Sequence, residues 1–350
     1  MTATACPVCG EPAPTDSNFC EACGADLDAV PVAPCVACGE SDIFDDGYCM
    51  SCGHKQPTER DHLTVDAGPV VAVTDRGRRH RDNEDAAAVG LLDDGSVVLV
   101  VCDGVSSTPG SAEASSSASI AARDVMVSAF ADDDDADVAA VLVAAAAAAQ
   151  AEATAAPAGA SNDPRLQGGP PSSTFVAAVA RPDGDAVELS VAWLGDSRAY
   201  WLGADTLLLT DDHELGGSLT RWIGADAPDV RPDLAHARVE GPGRLLLCSD
   251  GLWRYADEPG ELAALVERLS IDHPTTVGLA SALVEHANAS GGHDNITVAL
   301  WPSPSPSARP AAGGDGEGEG EAAATEATDD HDRRHRRDNE TMNEGKRPDR

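Results

Sequence analysis

Basic residues are scarce in this chain. Only 24 of its 350 residues are lysine or arginine, against 60 aspartates and glutamates, so the formal net charge is −36. A chain this acidic repels the phosphate backbone of nucleic acids and the surface of an anionic membrane. We therefore expect neither nucleic acid nor a membrane among its partners. Hydrophobic residues make up 42% of the sequence, which is ordinary for a globular protein.

Long hydrophobic segments and an export signal are also missing. The chain begins MTATACPVCG, without the charged and then apolar pattern of a signal peptide. Its most apolar stretch, VAAVLVAAAAAAQA at 138–151, is too short and too rich in alanine to predict a membrane span. These absences predict a soluble protein located in the cytoplasm.

Cysteine is nearly absent after residue 52, which makes its concentration before that point informative. Eight of the ten cysteines form four Cys-x-x-Cys pairs, each followed by glycine, and the second two pairs repeat the first two. Each pair directs two thiolates at one point, so two pairs supply the four ligands of a tetrahedral zinc. Disulfides would need an oxidising compartment, for which no export signal is seen. The ligands predicted for two structural Zn²⁺ ions are Cys6, Cys9, Cys20, Cys23, Cys35, Cys38, Cys49 and Cys52.

The spacing of these pairs resembles the double zinc ribbon family, and residues 1–55 are predicted to form two ribbons. Units of this size are too small to fold without metal. Up to position 60 the chain has only Lys55 and Arg60 as basic residues, against ten acidic ones. The ribbons therefore lack the charge of a nucleic-acid-binding module, and we expect them to contact a partner protein.

After a linker at 56–67, a main domain is predicted over 68–302, followed by a disordered tail at 303–350 that has too few large apolar residues to form a core. Short runs of valine and leucine predict strands at 69–74, 96–102, 173–180, 186–194, 198–202, 244–249 and 295–301. Longer periodic stretches predict helices at about 111–130, 135–155, 260–270 and 274–289. Strands with hairpin spacing between pairs of helices favour antiparallel sheets with helices packed outside.

Acidic residues repeatedly follow runs that must be buried. The stretches VVLVVCDG at 97–104 and RLLLCSDG at 244–251 both drive a strand into Asp-Gly. A single aspartate in such a place is usually a turn former, but this does not account for several. Carboxylates that converge in one cleft repel each other unless a cation holds them, and hard oxygen ligands suit Mg²⁺ or Mn²⁺. We expect the glycines to leave room for a metal to reach the backbone. The residues in this set are Glu84, Asp85, Asp103, Asp196, Asp250 and Asp294.

Six motifs in order resemble the metal-dependent serine/threonine protein phosphatases of type 2C. They are RHRDNEDA at 79–86, DG at 103–104, STFVAA at 173–178, GDSRAY at 195–200, SDGLW at 249–253 and DNITV at 294–298. The resemblance covers about 68–302. It implies an α+β fold, a four-layer αββα sandwich of two antiparallel sheets flanked by helices and preceded here by the two ribbons. It also implies hydrolysis of phosphoserine and phosphothreonine in phosphorylated proteins.

The resemblance further implies two Mn²⁺ or Mg²⁺ ions over the sandwich. Asp103 bridges both ions and is joined by the carbonyl of Gly104. Asp250 and Asp294 hold the first ion. A hydroxide that bridges the ions attacks the phosphorus, so the resemblance makes these three aspartates catalytic as well as metal-binding.

Further residues take their roles from the same resemblance. Glu84 or Asp85 serves the second ion, either directly or through water. Asp196 helps to hold a third, weaker ion. Arg79, which precedes the Asn-Glu-Asp sequence, is the arginine expected to grip the phosphoryl oxygens.

The chain departs from the resemblance at one position with chemical meaning. Many bacterial relatives continue Asp-Gly-x-Gly-Gly-His, whereas this chain continues DGVSSTPGS, without the histidine placed to protonate the leaving alcohol. We expect water to donate that proton, rather than His80, His213 or His293. Two alternatives remain open at this point: a phosphatase-like domain that only binds, and an adaptor whose main function lies in the ribbons.

Overall fold

The computed structural model describes residues 3–6, 9–14, 19–24, 33–44, 47–105, 108–133, 135–157 and 169–303. All structural statements below concern these residues. The predicted disordered tail, apart from residue 303, lies outside the described residues.

The main domain contains two antiparallel sheets and helices on either side of them. The strands of the two sheets are β1 (His62–Ala67), β2 (Val70–Asp75), β3 (Ala86–Leu91), β4 (Val97–Cys102), β5 (Phe175–Asp183), β6 (Ala186–Leu194), β7 (Arg198–Leu202), β8 (Thr206–Leu208), β9 (Asp233–Glu240), β10 (Arg244–Cys248) and β11 (Ile296–Pro302). The helices are α1 (Ser111–Asp132), α2 (Val138–Ala155), α3 (Asp250–Trp253), α4 (Pro259–Asp272) and α5 (Thr276–Ala289). Shorter paired segments are Ala3–Ala5, Pro12–Pro14, Ser172–Ser173, Glu214–Leu215, Ser218–Leu219 and Ile223–Gly224.

The strand order explains how distant motifs become neighbours. The six-stranded sheet has the order β8-β7-β10-β11-β2-β1, and the five-stranded sheet has the order β9-β6-β5-β4-β3. All pairs of adjacent strands are antiparallel. The hairpin between β5 and β6 closes through Gly184, whose φ of 59° favours glycine. Strands from both ends of the main domain thus meet in one sheet.

Strand β4 is buried on both faces, because a sheet covers one face and helices cover the other. Val97, Leu99 and Val101 pack between the two sheets. Val98 and Val100 alternate with them and pack against α1 and α2. Strand β10 behaves in the same way within the six-stranded sheet, which α4 and α5 cover. This is why both strands read as continuous apolar runs.

The four layers confirm the predicted αββα sandwich. The predicted strands and helices are all present, with ends that differ by a few residues. Four further strands of the two sheets, β1, β3, β8 and β9, were not predicted, and β1 occupies a stretch that the sequence assigns to the linker. Strand β1 is an edge strand that pairs with β2 from His62 to Ala67, and most of its side chains are exposed. Its polar sequence is tolerated because only one edge is paired, so it lacks the apolar run that marks the central strands.

Helix α2 is apolar and long enough to match a membrane span by composition alone. It packs against α1 and the five-stranded sheet through Val141, Leu142 and a row of alanines. Alanine side chains let the two helices approach closely while they cover the sheet. The helix therefore serves as an outer layer of the sandwich.

Candidate active site

Two Asp-Gly sequences meet at one edge of the sandwich. Asp103 follows the last residue of β4, and Asp250 begins α3 shortly after β10. The two strands belong to different sheets that pack face to face, so their ends lie opposite each other. The carboxyl groups of Asp103 and Asp250 are in hydrogen-bond contact. The sandwich thus brings together two carboxylates that are far apart in the sequence.

The glycines after these aspartates are required by the backbone that packs against them. A Cβ on Gly104 would lie 2.5 Å from the carbonyl oxygen of Glu84. A Cβ on Gly251 would lie 1.8 Å from the carbonyl oxygen of Asn295. The expectation that these glycines leave room for a metal is therefore not met at the position that a Cβ would take. At both glycines the backbone of another segment of the protein occupies that position. The glycines instead let the segments that carry the carboxylates approach one another.

Asp85 is the most deeply buried acidic group at this edge, with 4% of its surface exposed. Its Oδ2 accepts hydrogen bonds from the hydroxyls of Ser249, at 2.7 Å, and Thr297, at 2.8 Å. Its Oδ1 is buried and has no hydrogen-bond partner among the described residues. Buried polar atoms of this kind are rare without a partner, so this oxygen is suited to a cation or its water.

The clustered carboxylates have raised pKa values. Burial first, and then the charges of Asp85, Asp250, Asp196 and Asp294, raise the pKa of Asp103 well above its ordinary value. Burial and the neighbouring carboxylates also raise the pKa of Asp85 to about 7. Burial and Asp250 raise the pKa of Asp196 to about 7. Carboxylates crowded in this way favour protons or cations.

The donor set fits the predicted divalent cations. It consists of carboxylate oxygens, one of which is buried and has no hydrogen-bond partner among the described residues, and these are ligands that Mg²⁺ and Mn²⁺ prefer. Asp294 adds a partly exposed carboxylate whose Oδ1 lies 3.1 Å from Nε2 of His80. The five aspartates of the predicted set therefore face one another at this edge.

Glu84 contributes to this region mainly through its backbone. Its carbonyl oxygen accepts a hydrogen bond from the backbone N–H of Gly104, at 3.1 Å, and another from the hydroxyl of Ser115. Its own N–H donates to Oδ1 of Asn295, at 2.8 Å. The backbone of Glu84 thus links the loop before β3 to the loop after β4.

Two side chains of the sequence motifs hold the loops in place. The amide nitrogen of Asn295 donates to the carbonyls of Arg76 and Asp82, at 2.8 and 3.1 Å. The hydroxyl of Thr174 accepts from the backbone N–H of Asp103, at 3.0 Å, and the N–H of Thr174 donates to the carbonyl of Asp103. These contacts orient the carboxylates, and they explain why uncharged residues recur within the motifs.

Arg254 is a neighbour of the cluster that the sequence analysis missed. Its Nε donates to Oδ2 of Asp250, at 2.7 Å, and its guanidinium lies 3.8 Å from Oδ2 of Asp196. It stands one helical turn after Asp250, so the spacing of four residues could have indicated it. Its charge offsets part of the repulsion between the carboxylates.

Arg198 of the GDSRAY motif is buried and has a structural role. Its guanidinium donates to both carboxylate oxygens of Asp212, at 2.8 to 3.2 Å, and stacks over the ring of Trp253 with 3.6 Å to the ring centre. The indole N–H of Trp253 in turn donates to the carbonyl of Asp196, at 2.9 Å. The motif therefore holds α3 and Asp196 in register.

The structure places the predicted phosphate-binding arginine at the rim. Arg79 lies in the loop between β2 and β3, and its side chain is exposed. The next residue, His80, contacts Asp294. Arg79 is thus the sequence neighbour of a residue that contacts the carboxylate cluster, and its side chain is accessible to a ligand in solution.

The eight N-terminal cysteines form two clusters of four, as predicted. In each cluster the four sulfur atoms lie within 4.8 Å of one another. The recorded Sγ–Sγ distances are 3.5 to 3.8 Å, far longer than a disulfide bond. Two sulfurs bound at about 2.3 Å to a tetrahedral zinc lie about 3.8 Å apart. Both clusters therefore fit zinc.

The two cysteines beside the carboxylates do not take part in the site. Cys102 and Cys248 are buried in β4 and β10, and burial raises the pKa of both thiols well above the ordinary value. A thiol that stays protonated is a weak nucleophile and a poor metal ligand. Both cysteines therefore serve as small buried apolar side chains of their strands.

Comparison with known proteins agrees with both parts of the chain. The family profile of Protein phosphatase 2C matches residues 75–286, and the profile of the double zinc ribbon matches residues 6–53. The serine/threonine phosphatase stp of Listeria innocua serovar 6a is 31% identical in an alignment 148 residues long that covers 37% of this chain and 55% of that protein. The chain thus spans about half the length of the curated relatives it matches.

Solved structures share the fold. The serine/threonine phosphatase of S. agalactiae is 23% identical, with a TM-score of 0.50 over 66% of this chain and 97% of that one. The serine/threonine phosphatase Stp1 of Staphylococcus aureus is 21% identical, with a TM-score of 0.50 over 71% of this chain and 98% of that one. The chain belongs to the protein phosphatase 2C family and carries a double zinc ribbon before the phosphatase domain.

Proposed function

We propose that this chain hydrolyses phosphoserine and phosphothreonine in phosphorylated proteins of the cytoplasm, in a reaction that depends on Mn²⁺ or Mg²⁺. The observation that carries the proposal is the cluster of Asp85, Asp103, Asp196, Asp250 and Asp294 at one edge of the sandwich. Family membership supports the reaction class. All five aspartates being present argues against a domain that only binds.

In this proposal Asp85, Asp103, Asp250 and Asp294 would hold two cations, and Asp196 would help to hold a third, weaker one. When bound, the cations supply the positive charge that activates water and offsets charge on the phosphoryl oxygens. Asp85 is held in place for this task by the hydroxyls of Ser249 and Thr297. Arg79 binds two phosphate oxygens through its planar guanidinium and positions the ester above the cluster.

The test is hydrolysis of a phosphothreonine peptide by the full-length protein. We expect turnover with Mn²⁺ or Mg²⁺ and none after these ions are removed, with recovery when they are returned. The unphosphorylated threonine peptide of the same sequence is the control, because it measures binding that does not depend on the phosphate. Peptide binding without phosphate release at saturating cation would support the phosphatase-like binding module instead.

The histidines near the site are expected to have modest and unselective effects. His80 contacts Asp294, His213 accepts from the N–H of Gly195 at 3.1 Å, and His293 bonds to the hydroxyl of Tyr255 at 2.8 Å. Each is engaged with its own surroundings, so water is proposed to protonate the leaving alcohol. Single changes to alanine should slow phosphopeptide and aryl phosphate hydrolysis by similar factors. A loss of about 10²-fold for the phosphopeptide alone would identify a general acid and contradict this prediction.

We also propose that the ribbons are a protein-interaction module held by two zinc ions and are not needed for the hydrolysis of small aryl phosphates. A fragment that starts at Pro57 keeps Asp61, which is buried and faces Arg76. We expect this fragment to contain no zinc and to hydrolyse aryl phosphates as the full chain does, since exposed ion pairs to the ribbon contribute little to stability. Metal analysis and aryl phosphate kinetics check this. Zinc that persists in the fragment, or a folded fragment without turnover, would contradict it.

A further inference from the structure

The second ribbon contacts the phosphatase domain at the loop that carries Arg79. Lys55 forms an ion pair with Asp82 and donates to the carbonyl of Arg81, at 3.2 Å. Arg81 donates to the hydroxyl of Tyr48 and stacks over its ring. These contacts join a zinc-held turn to the loop between β2 and β3.

A cavity of about 420 Å³ lies at this junction. It is lined by Tyr48, Gly53, His54, Lys55, Arg76, His80 and Arg81. None of these lining residues is acidic, although the whole chain has 60 acidic residues against 24 basic ones. Three of the lining residues, Lys55, Arg76 and Arg81, are permanently positive. The cavity is therefore basic in a chain that is acidic overall.

Arg76 shows that the cations of this cavity are incompletely paired. Its Nε is buried and has no hydrogen-bond partner among the described residues. Its NH1 makes two long contacts of 3.4 Å, to the carbonyl of Arg81 and to Oδ2 of Asp61. An arginine in this state retains capacity for a further anionic partner.

The cavity borders the carboxylate cluster. His80 lines the cavity, and its Nε2 lies 3.1 Å from Oδ1 of Asp294. Arg79, the proposed phosphate-binding residue, precedes it in the same loop. An extended peptide advances about 3.3 Å per residue, so neighbours of a bound phosphoresidue fall within reach of the cavity.

We propose that this cavity binds a second anionic group of the substrate, a carboxylate or a phosphate a few residues from the phosphorylated side chain. The inference rests on the proposed phosphatase activity and adds a substrate class to it, namely acidic or multiply phosphorylated segments. Arg81, which among the described residues contacts Tyr48 and not a carboxylate, supplies charge and paired donors that match either anion, and Lys55 adds a charge that it shares with Asp82. The net charge of the chain is −36, so a basic cavity also favours one direction of a bound acidic peptide over the other.

Peptide selectivity tests the proposal in the full-length, zinc-loaded protein. One phosphothreonine peptide is prepared with alanine, aspartate, phosphoserine or lysine at each position within four residues of the phosphothreonine. We expect kcat/KM to be about tenfold higher for the aspartate and phosphoserine peptides than for the alanine peptide at one or two positions. Lysine there should lower it. Comparison of the aspartate and phosphoserine peptides decides which anion the cavity prefers.

Variants then assign the selectivity to the cavity. Lys55→Gln and Arg81→Gln should each reduce the ratio of kcat/KM between the acidic and alanine peptides, while zinc content stays at the wild-type level. Arg123→Gln is the matched control, because it removes an exposed arginine of α1 that pairs with Asp124. An unchanged ratio in both cavity variants, or an equal fall in the control, would overturn the proposal.

The same peptides, fluorescently labelled, are also titrated for binding. Absence of turnover for every peptide would disprove the proposed activity, while the binding preference would still test the cavity. Turnover that is equal for acidic and neutral peptides would disprove the cavity proposal alone. The two failures are therefore distinguishable.

Discussion

Replacing Asp103 by asparagine is expected to remove nearly all phosphatase activity while making the metal-free protein more stable. The change keeps the shape of the side chain and removes a charge that sits between the other carboxylates of the cluster. Loss of one group that serves transition-state electrostatics typically costs about 10²–10³-fold in turnover, and a residue proposed to serve two cations should reach the upper end. Asp250→Asn is expected to act in the same direction. Turnover at saturating Mn²⁺ and unfolding in cation-free buffer are the measurements.

The rise in stability distinguishes this result from simple misfolding. Burial and four neighbouring carboxylates raise the pKa of Asp103, which means that its charge opposes folding when no cation is present. Asp205→Asn is a matched control, because Asp205 is exposed and lies after the last residue of β7, whereas Asp196 lies before its first residue. Near wild-type turnover in either Asp103→Asn or Asp250→Asn at saturating Mn²⁺ would show that the cluster is not the catalytic centre.

The sequence predicts strands best where both faces of the strand are buried. Strands β4 and β10 are covered on both faces, so their apolar runs are unbroken and their ends are marked by Asp-Gly. Strand β3 is the alanine-rich segment AAAVGL, in which Val89 is the only β-branched residue of the kind that indicates a strand. Strand β9 carries charged residues on its exposed face and pairs only with β6. Such strands depend on their neighbours, which local sequence does not reveal.

The residues of the candidate site also fall into those that the sequence indicates and those that only the fold brings together. Aspartates at the ends of buried strands are visible in the sequence because they interrupt apolar runs. Arg254 was missed because its importance comes from the carboxylate one helical turn before it and from Asp196 in a distant loop. The contact between Tyr48 and Arg81 joins two domains, and although Arg81 lies within the RHRDNEDA motif, nothing in that motif points to Tyr48 as its partner. Pairings of this kind arise only from the folded arrangement.

The cation-free protein is expected to lose stability as the pH rises from about 5.5 to 8. Asp85 and Asp196 each have a pKa of about 7 in the folded protein, against 3.8 for an ordinary aspartate. Between these values the folded state holds protons that the unfolded chain has released, so stability falls with pH. The contribution is complete below about pH 4 and is lost as the pH passes 7. Each pKa unit by which the folded state raises the pKa of a carboxyl corresponds to about 1.4 kcal/mol, so the loss of stability between pH 5.5 and pH 8 should be measurable.

Divalent cations should reverse this trend, because they replace the protons. Above pH 7 the ionised carboxylates bind Mg²⁺ or Mn²⁺ without first releasing protons, and binding to the folded state alone raises its stability. The measurement is denaturant unfolding at pH 5.5 and pH 8 with and without millimolar Mg²⁺. Strong chelators are avoided, since they would also remove zinc from the ribbons and unfold them.

Asp205→Asn should follow the wild-type pattern, whereas Asp103→Asn should show a weaker dependence on pH. Equal stability of the cation-free wild type at both pH values would mean that these carboxylates do not repel one another in the folded protein, and the argument for a cation site would lose its electrostatic basis.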